Sequence, residues 1–486
     1  MRKTLWIDVE DLFEFALRNS RPTGIQRLAY EFYRRFHSTF GDSGQVRFVR
    51  IDFARNTFYA VEWQKIEDIF VSLTAGGETE KTPRHAGSDN LRPDSALRLL
   101  TRRTLRKLPL DIRYRLIDAT MLQIKAAKAI ADLGLFAVRR LAKRLALTLR
   151  NLRPPKKLEQ NANPANDDFV RLVQPGDIVL AMGANWGHPN YYELIETVRL
   201  TRGIEFGLLV YDVIPIFGLE WFLPELRHAF ADWLKSTLPL ADRIFAISQY
   251  TADDVERFAT QSNIPLRSKP HVVPIGTGFE SRTLAMRIDD EEPPIPGGYV
   301  LFVSTIEARK NHMLLFRVWR RLLEEKPASE VPTLVFAGRI GWLTSDLVAQ
   351  LTNTDYLQGK IVVQSNLSDG ALERLYRGCL FTVFPSYYEG WGLPVGESLA
   401  FGKPCLASCR TSIPEVGGRF CRYFDPDSVT EAYTIINGLI EQPADLAAWE
   451  ADIRENFRPA SWEAGAHDML TQLGLLASDP PATGPA

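Results

Sequence analysis

Short apolar runs alternate with helix-period patterns along most of this chain, which predicts parallel β-sheets covered by α-helices. The runs fall at 4–9, 46–53, 177–182, 206–211, 243–247 and 271–274, and the pattern restarts at 299–304, 333–337, 360–364, 380–385 and 404–408. Between the two sets lies RIDDEEPPIPGG, residues 287–298, an acidic stretch rich in Pro and Gly that reads as a linker. The implied organisation is α/β. An N-terminal domain covers 1–286, a C-terminal domain 299–465, a C-terminal helix 466–477 and a disordered tail 478–486.

One segment breaks the alternation. Residues 92–157 hold eighteen Lys/Arg and four Asp/Glu, with Leu133, Phe136, Val138, Leu141, Leu145 and Leu149 at helical spacing among the charges. Two readings stand: a solvated helical insertion in the N-terminal domain, or a basic amphipathic surface for anionic lipid headgroups. Base stacking is disfavoured, because only Tyr114 and Phe136 are aromatic there, so nucleic acid is not an expected partner.

Composition changes the picture little at first. The 486 residues are 45% hydrophobic and 24% charged, which excludes a wholly disordered, collagen-like or polytopic membrane chain. Lys+Arg 58 against Asp+Glu 59 gives a net charge of -1. That balance is a cancellation, since about +14 in residues 92–157 leaves about -15 on the rest. The start, MRKTLWIDVEDLFEF, has acids too early for a secretory signal, and no run is long enough for a membrane span. Cys379, Cys405, Cys409 and Cys421 fit neither a zinc site nor a CxxC pair, so buried free thiols in the cytoplasm are expected. Lipid binding by the basic segment would place the chain peripherally at the inner membrane face.

The richest chemical signal is PSYYEGWGLPVGESLAFGKP, residues 385–404. It follows an apolar strand and enters a helix, with Gly390 and Gly392 at the junction and Pro394 suited to the first turn. Glycines there admit a ligand close to the backbone, and the helix start favours an anion. Glu389 precedes the elbow and Glu397 follows eight residues later.

This segment resembles the E-x7-E region of retaining glycosyltransferases of family 4, which have the GT-B fold of two facing Rossmann-like domains. STIEARKNHMLLFRVW at 304–319, VFAGRIGW at 335–342, LSDGALERLYRGC at 367–379, SIPEVGG at 412–418, YFDPDS at 423–428 and TGIQRLAYEF at 23–32 resemble further family units, in order. The resemblance implies that Lys310, assisted by Arg309, binds a donor diphosphate, where cations offset the charge on a departing nucleotide. It implies that Glu397 receives the ribose hydroxyls and that Glu389 lies by the transferred sugar. Gly390, Gly392 and Leu393 would offer backbone to sugar or phosphate, Asn366 and Leu367 would flank the nucleobase, and Gly24 would admit the diphosphate or be an ordinary turn.

YDVIPI at 211–216 resembles a strand-end motif in which many relatives carry His where this chain has Tyr211. Asp212 then positions a sugar or caps its loop. Asp242 and Ser248 read as structural caps. Trp186, His188 and Asn190 after the run at 177–182 suit an acceptor sugar or simple loop packing. No GxGxxG follows the first run, which disfavours a dinucleotide oxidoreductase. Asp425 and Asp427 read as a turn, so neither metal nor cofactor is expected, the nucleotide diphosphate sugar being a co-substrate.

The expected activity is hexose transfer with retention, from a GDP-linked mannose or related sugar to a glycan or lipid-linked glycan, as in bacterial mannosyl-type transferases of surface polysaccharide assembly. A nucleotide-sugar epimerase or hydrolase, or an inactive sugar-nucleotide-binding scaffold, are the alternatives.

Overall fold

The computed structural model describes residues 3–19, 21–53, 55–75, 168–188, 190–277, 295 and 298–477. The basic segment at 92–157, the tail at 478–486 and the linker at 287–298, apart from Ile295 and Gly298, lie outside the described residues.

Two sheets organise the chain. The first contains β1 (Leu5–Asp8), β2 (Val46–Asp52), β3 (Thr57–Val61), β4 (Ile178–Ala181), β5 (Glu205–Val210), β6 (Arg243–Ala246) and β7 (His271–Val272), in the order β3-β2-β1-β4-β5-β6-β7. The second contains β8 (Tyr299–Val303), β9 (Thr333–Ala337), β10 (Ile361–Gln364), β11 (Phe381–Phe384), β12 (Cys405–Ser408) and β13 (Cys421–Phe424), in the order β10-β9-β8-β11-β12-β13. All eleven apolar runs contain a strand.

Two strands were not expected. β3 pairs antiparallel with β2, from Phe48 against Val61 to Asp52 against Thr57, so the first sheet is not wholly parallel. Only Phe58 of β3 is buried, which is why the strand lacks an apolar signature. β13, with the sequence CRYF, is an edge strand half-covered along its middle, and pairs parallel with β12.

The apolar runs are buried on both faces, as parallel strands between helix layers must be. In β1, Leu5, Trp6 and Ile7 are all fully buried, and in β8 so are Tyr299, Val300, Leu301 and Phe302. The final helix begins at Trp462, capped by Ser461, and not at residue 466. It belongs to the first core: Trp462 meets Phe32 edge-on at 5.6 Å and donates its indole N–H to the Thr277 carbonyl at 2.6 Å, while Ala466, Met469 and Leu470 pack beside them. Burial of this apolar stripe against the helix Gly24–Phe40 pulls the chain end back to the N-terminal domain.

Cys379, Cys405 and Cys421 are buried free thiols, whereas Cys409 is exposed, because it lies just past the end of β12. Among the described residues no helix is long and apolar enough to cross a membrane.

Candidate functional site

In an open parallel sheet, ligands bind beyond the strand C-termini where the strand order reverses. In the second sheet β8 lies between β9 and β11, and the chain leaving β8 and β11 carries the expected Arg309, Lys310 and Glu389. A short turn, Ala308–Lys310, sets both cations, and Asn311 ends it in a left-handed conformation with φ 59°. Asn311 locks the turn in place, donating its amide to the carbonyls of Pro385 at 3.3 Å and Pro426 at 2.9 Å.

The result is a compact ion cluster. Lys310 Nζ lies 2.5 Å from Glu389 Oε1, and Arg309 Nη1 lies 3.0 Å from Glu389 Oε2. The other Arg309 nitrogen reaches Glu307 at 2.6 Å, and its guanidinium also donates to the Tyr388 carbonyl. Burial by itself would raise the Glu389 pKa, but Arg309 and Lys310 outweigh it and hold it at about 2. Burial, with Arg309 beside it, lowers the Lys310 pKa against the pull of Glu389. Burial would also lower that of Arg309, yet Glu389, Glu307 and Asp212 carry it above its ordinary value. The two cations are thus balanced by Glu389 and Glu307 in a buried, low-dielectric setting.

The elbow brings the two domains together. Gly392, at φ 121°, starts the helix Leu393–Ala400 with Pro394 in its first turn. A Cβ on Gly390 would collide with the Tyr211 carbonyl and sit 3.0 Å from Cβ of Asp212, so only glycine lets the elbow meet the end of β5. Thr251 Oγ1 clamps this contact, 3.3 Å from both the Tyr211 and Gly390 carbonyls. Asp212 accepts from the Ile214 N–H at 3.0 Å, as a loop cap does, and also lies in the field of Arg309. Burial raises its pKa despite that cation. Leu393 approaches Gly24, with its Cδ1 3.6 Å from where a Cβ would stand, so these two residues also meet.

A cavity of about 300 Å³ opens between the domains, lined by Thr23, Gly24 and Arg27 from one side and by Gly338, Asn366, Leu367 and Asp369 from the other. Gly24, Asn366 and Leu367 of the expected donor residues thus share one space. The ion cluster, Gly390, Gly392, Leu393 and Glu397 are not part of its lining. Glu397 is buried on the helix Leu393–Ala400 and accepts from the Tyr376 hydroxyl at 2.8 Å. Burial raises its pKa, with Tyr376 and Arg27 opposing.

Sequence reasoning missed the bridge across this cavity. Arg27 forks onto Asp369, with Nη1–Oδ2 at 3.0 Å and Nη2–Oδ1 at 2.5 Å, joining the first domain to the second. Arg27 stood inside the quoted TGIQR and Asp369 inside LSDG, but nothing in either segment signals the other. Gly338 was also missed: a Cβ there would collide with the Ser304 carbonyl, so glycine lets β9 exit beside β8.

The expected acceptor cluster comes apart. Trp186 packs edge-on against Phe230 and Trp233, at 5.3 and 5.8 Å, and so serves the first domain's core. His188 instead faces Phe53 at 5.3 Å, with Nε2 3.8 Å from Glu14. Asn190 is exposed at the start of the helix Tyr191–Arg202. Asp242 accepts from the Phe206 N–H and pairs with Arg199, both at 2.9 Å, and Ser248 caps the helix Gln249–Gln261, as structural residues do. Asp425 and Asp427 both pair with Arg410, at 2.9 and 3.1 Å. Among the described residues no three His, Cys, Asp or Glu side chains are grouped to hold a metal ion.

Two Rossmann-like domains with mostly parallel sheets, meeting at the elbow and the cavity, make this a GT-B fold. The family model for glycosyl transferases group 1 matches residues 288–456 of the chain. It is 28% identical over 301 residues to O-antigen chain mannosyltransferase B of Escherichia coli, covering 59% of this chain and 68% of that one. Against the serotype-specific mannosyltransferase WbdA of Escherichia coli it is 23% identical, covering 60% of this chain and 36% of the relative. Against the MMP alpha-(1->4)-mannosyltransferase of Mycolicibacterium hassiacum it is 33% identical, covering 46% and 52% respectively. The chain therefore spans about two thirds of the first relative and about half or less of the other two.

Proposed function

We propose that this chain transfers a mannose or related hexose from a nucleotide diphosphate sugar, GDP-linked, to a glycan acceptor during polysaccharide assembly, with retention at the anomeric carbon. The observation that carries the reading is the pair Arg309–Lys310, gathered on Glu389 beside a glycine elbow that touches the opposing domain. The three mannosyltransferase relatives support the choice of sugar.

In this reading the diphosphate draws Lys310 and Arg309 toward its oxygens. Their charge offsets the negative charge that grows as the sugar–phosphate bond breaks. Glu389, ionised at every working pH, keeps both cations aimed and lies by the sugar. The departing phosphate takes the proton of the acceptor hydroxyl on the same face, so no enzyme nucleophile is needed. Orientation between two domains then supplies most of the rate. The cavity at Gly24, Asn366 and Leu367 takes the nucleoside end, with Glu397 near the ribose. The acceptor is lipid-linked, and the basic segment at 92–157 holds the enzyme at an anionic membrane surface.

The test is incubation of the protein with GDP-mannose, UDP-glucose and other nucleotide sugars, with and without a mannan or lipid-linked acceptor. Transfer from GDP-mannose giving an α-linked product by NMR is expected. An epimerised or merely hydrolysed donor would select the alternative chemistry, and binding without turnover of any donor would sink the transferase reading. Sedimentation with anionic vesicles tests the membrane role, and binding equal to that of neutral vesicles would remove it.

A further inference from the structure

A band of aromatic and aliphatic side chains lies on both domains beside the ion cluster. From the first domain come Leu219, Trp221, Phe222, Leu223 and Leu226. From the second come Ile340, Trp342 and Leu343. Leu223 is 66% exposed, Ile340 and Leu343 54% and Trp342 47%. So much apolar surface rarely stays uncovered without a binding role.

The rings are organised. Trp221 stacks on Tyr387 at 5.9 Å with only 9° between planes, and meets Tyr388 at 6.3 Å. Trp342 donates its indole N–H to the Trp221 carbonyl at 2.9 Å, and its ring stands 6.3 Å from Phe222. Gly218 is what lets Trp221 fold in, since a Cβ there would collide with the ring.

The band is continuous with the site at two points. Tyr387 donates its N–H to the Arg309 carbonyl at 3.0 Å, and Tyr388 immediately precedes Glu389. Gly338 and Arg339 line the interdomain cavity, and the same loop reaches Trp342 three residues later, a span of at most about 11 Å. That loop is braced, with the Gly341 N–H bonded to the Ile306 carbonyl at 2.8 Å.

We propose that Trp221, Phe222 and Trp342 form a stacking platform for the pyranose rings of a glycan acceptor, beyond the residue that is glycosylated. The C–H face of a hexose is flat and apolar while its hydroxyls point outward, so it matches an aromatic face with polar surroundings. Charge excludes the competing occupant, an anionic lipid surface. Glu220, Glu225 and Asp346 outnumber Arg227 and Arg339 at its ends, so the band offers an anionic lipid surface no net positive charge. The proposal deepens the glycosyl-transfer reading and rests on it for the class of sugar.

The test uses the whole chain, with methyl α-mannoside and an α-linked mannotetraose as probes, by titration calorimetry without donor. The wild-type protein is expected to bind the tetraose at least about tenfold more tightly than the monosaccharide. Trp342→Ala is expected to cost about tenfold for the tetraose alone, with Trp342→Tyr restoring most of it. GDP-mannose affinity should not move in either variant. In turnover, KM for the tetraose should rise while kcat holds. A tetraose that binds no better than the monosaccharide overturns the platform, as does unchanged tetraose affinity in Trp342→Ala. Loss of polyprenyl phosphate vesicle binding without loss of tetraose binding would assign the band to lipid and overturn it too. The two readings fail separately. Tetraose binding through Trp342 without any transfer leaves the platform and removes the transferase. Transfer with normal KM in Trp342→Ala does the reverse.

Discussion

The loop cluster above the second sheet and the loop cluster above the first are built on opposite plans. Above β8 and β11, charge is concentrated: two cations and two carboxylates interlock within bonds of 2.5 to 3.0 Å, and backbone carbonyls hold the frame. Above β4 and β5, Trp186 packs on Phe230 and Asp212 accepts from the Ile214 N–H as a loop cap does. The difference teaches that the loops above the second sheet are preorganised by a local ionic network, whereas those above the first are held by packing and caps. In the proposed reading the ionic network would serve the donor, and the acceptor would be read by shape and stacking.

Removing Lys310 should break the comparison most severely. Lys310→Ala is expected to lower the transfer rate roughly 100- to 1000-fold, with an unchanged circular dichroism spectrum. A loss under tenfold would mean that the cluster is structural and that the two regions do not differ in kind. Trp186→Ala should act on stability instead. It is expected to cost about 3 kcal/mol in urea unfolding through the lost packing on Phe230 and Trp233, while acceptor KM in the folded protein stays the same. An acceptor KM raised in that variant would return Trp186 to sugar binding.

Arg27 tests the bond between the regions. Its fork onto Asp369 is only partly exposed, so Arg27→Gln should weaken nucleotide-sugar binding by about tenfold, read by thermal shift against donor concentration. Equal affinity in variant and wild type would make the bridge incidental. The smallest effect concerns pH. Glu389 titrates at about 2 in the fold against 4.5 for an ordinary glutamate, so the stability it contributes is complete above pH 4.5 and is lost as pH falls toward 2. The transfer profile should therefore show no acid limb from Glu389 between pH 5 and 8. A limb in that range that disappears in Glu389→Gln would contradict its full ionisation.

Much of the fold was legible because parallel strands buried on both faces leave unbroken apolar runs, as at 299–304 and 333–337. β3 and β13 escaped for the same reason, since neither is buried on both faces along its length. Arg309, Lys310 and Glu389 were legible as candidates because they lie within a few residues of strand ends, Glu389 beside a glycine whose purpose is steric. The packing of Trp186 was not. Trp186 after a strand reads the same in sequence whether it faces sugar or Phe230, and only the position of the helix Pro224–Thr237 decides between them.

By itself the sequence determined two α/β domains, the elbow at Gly390 and Gly392, and Arg309, Lys310 and Glu389 as candidate chemistry. These depend on periodicity, on steric permission and on charge, which are properties of neighbouring residues. The tertiary structure decided that Arg27 meets Asp369, that Trp462 returns to the first core, and that Trp221 and Trp342 join one band across two domains. Each of those contacts links segments far apart in the chain, where no local pattern can register a partner and only packing brings it within reach.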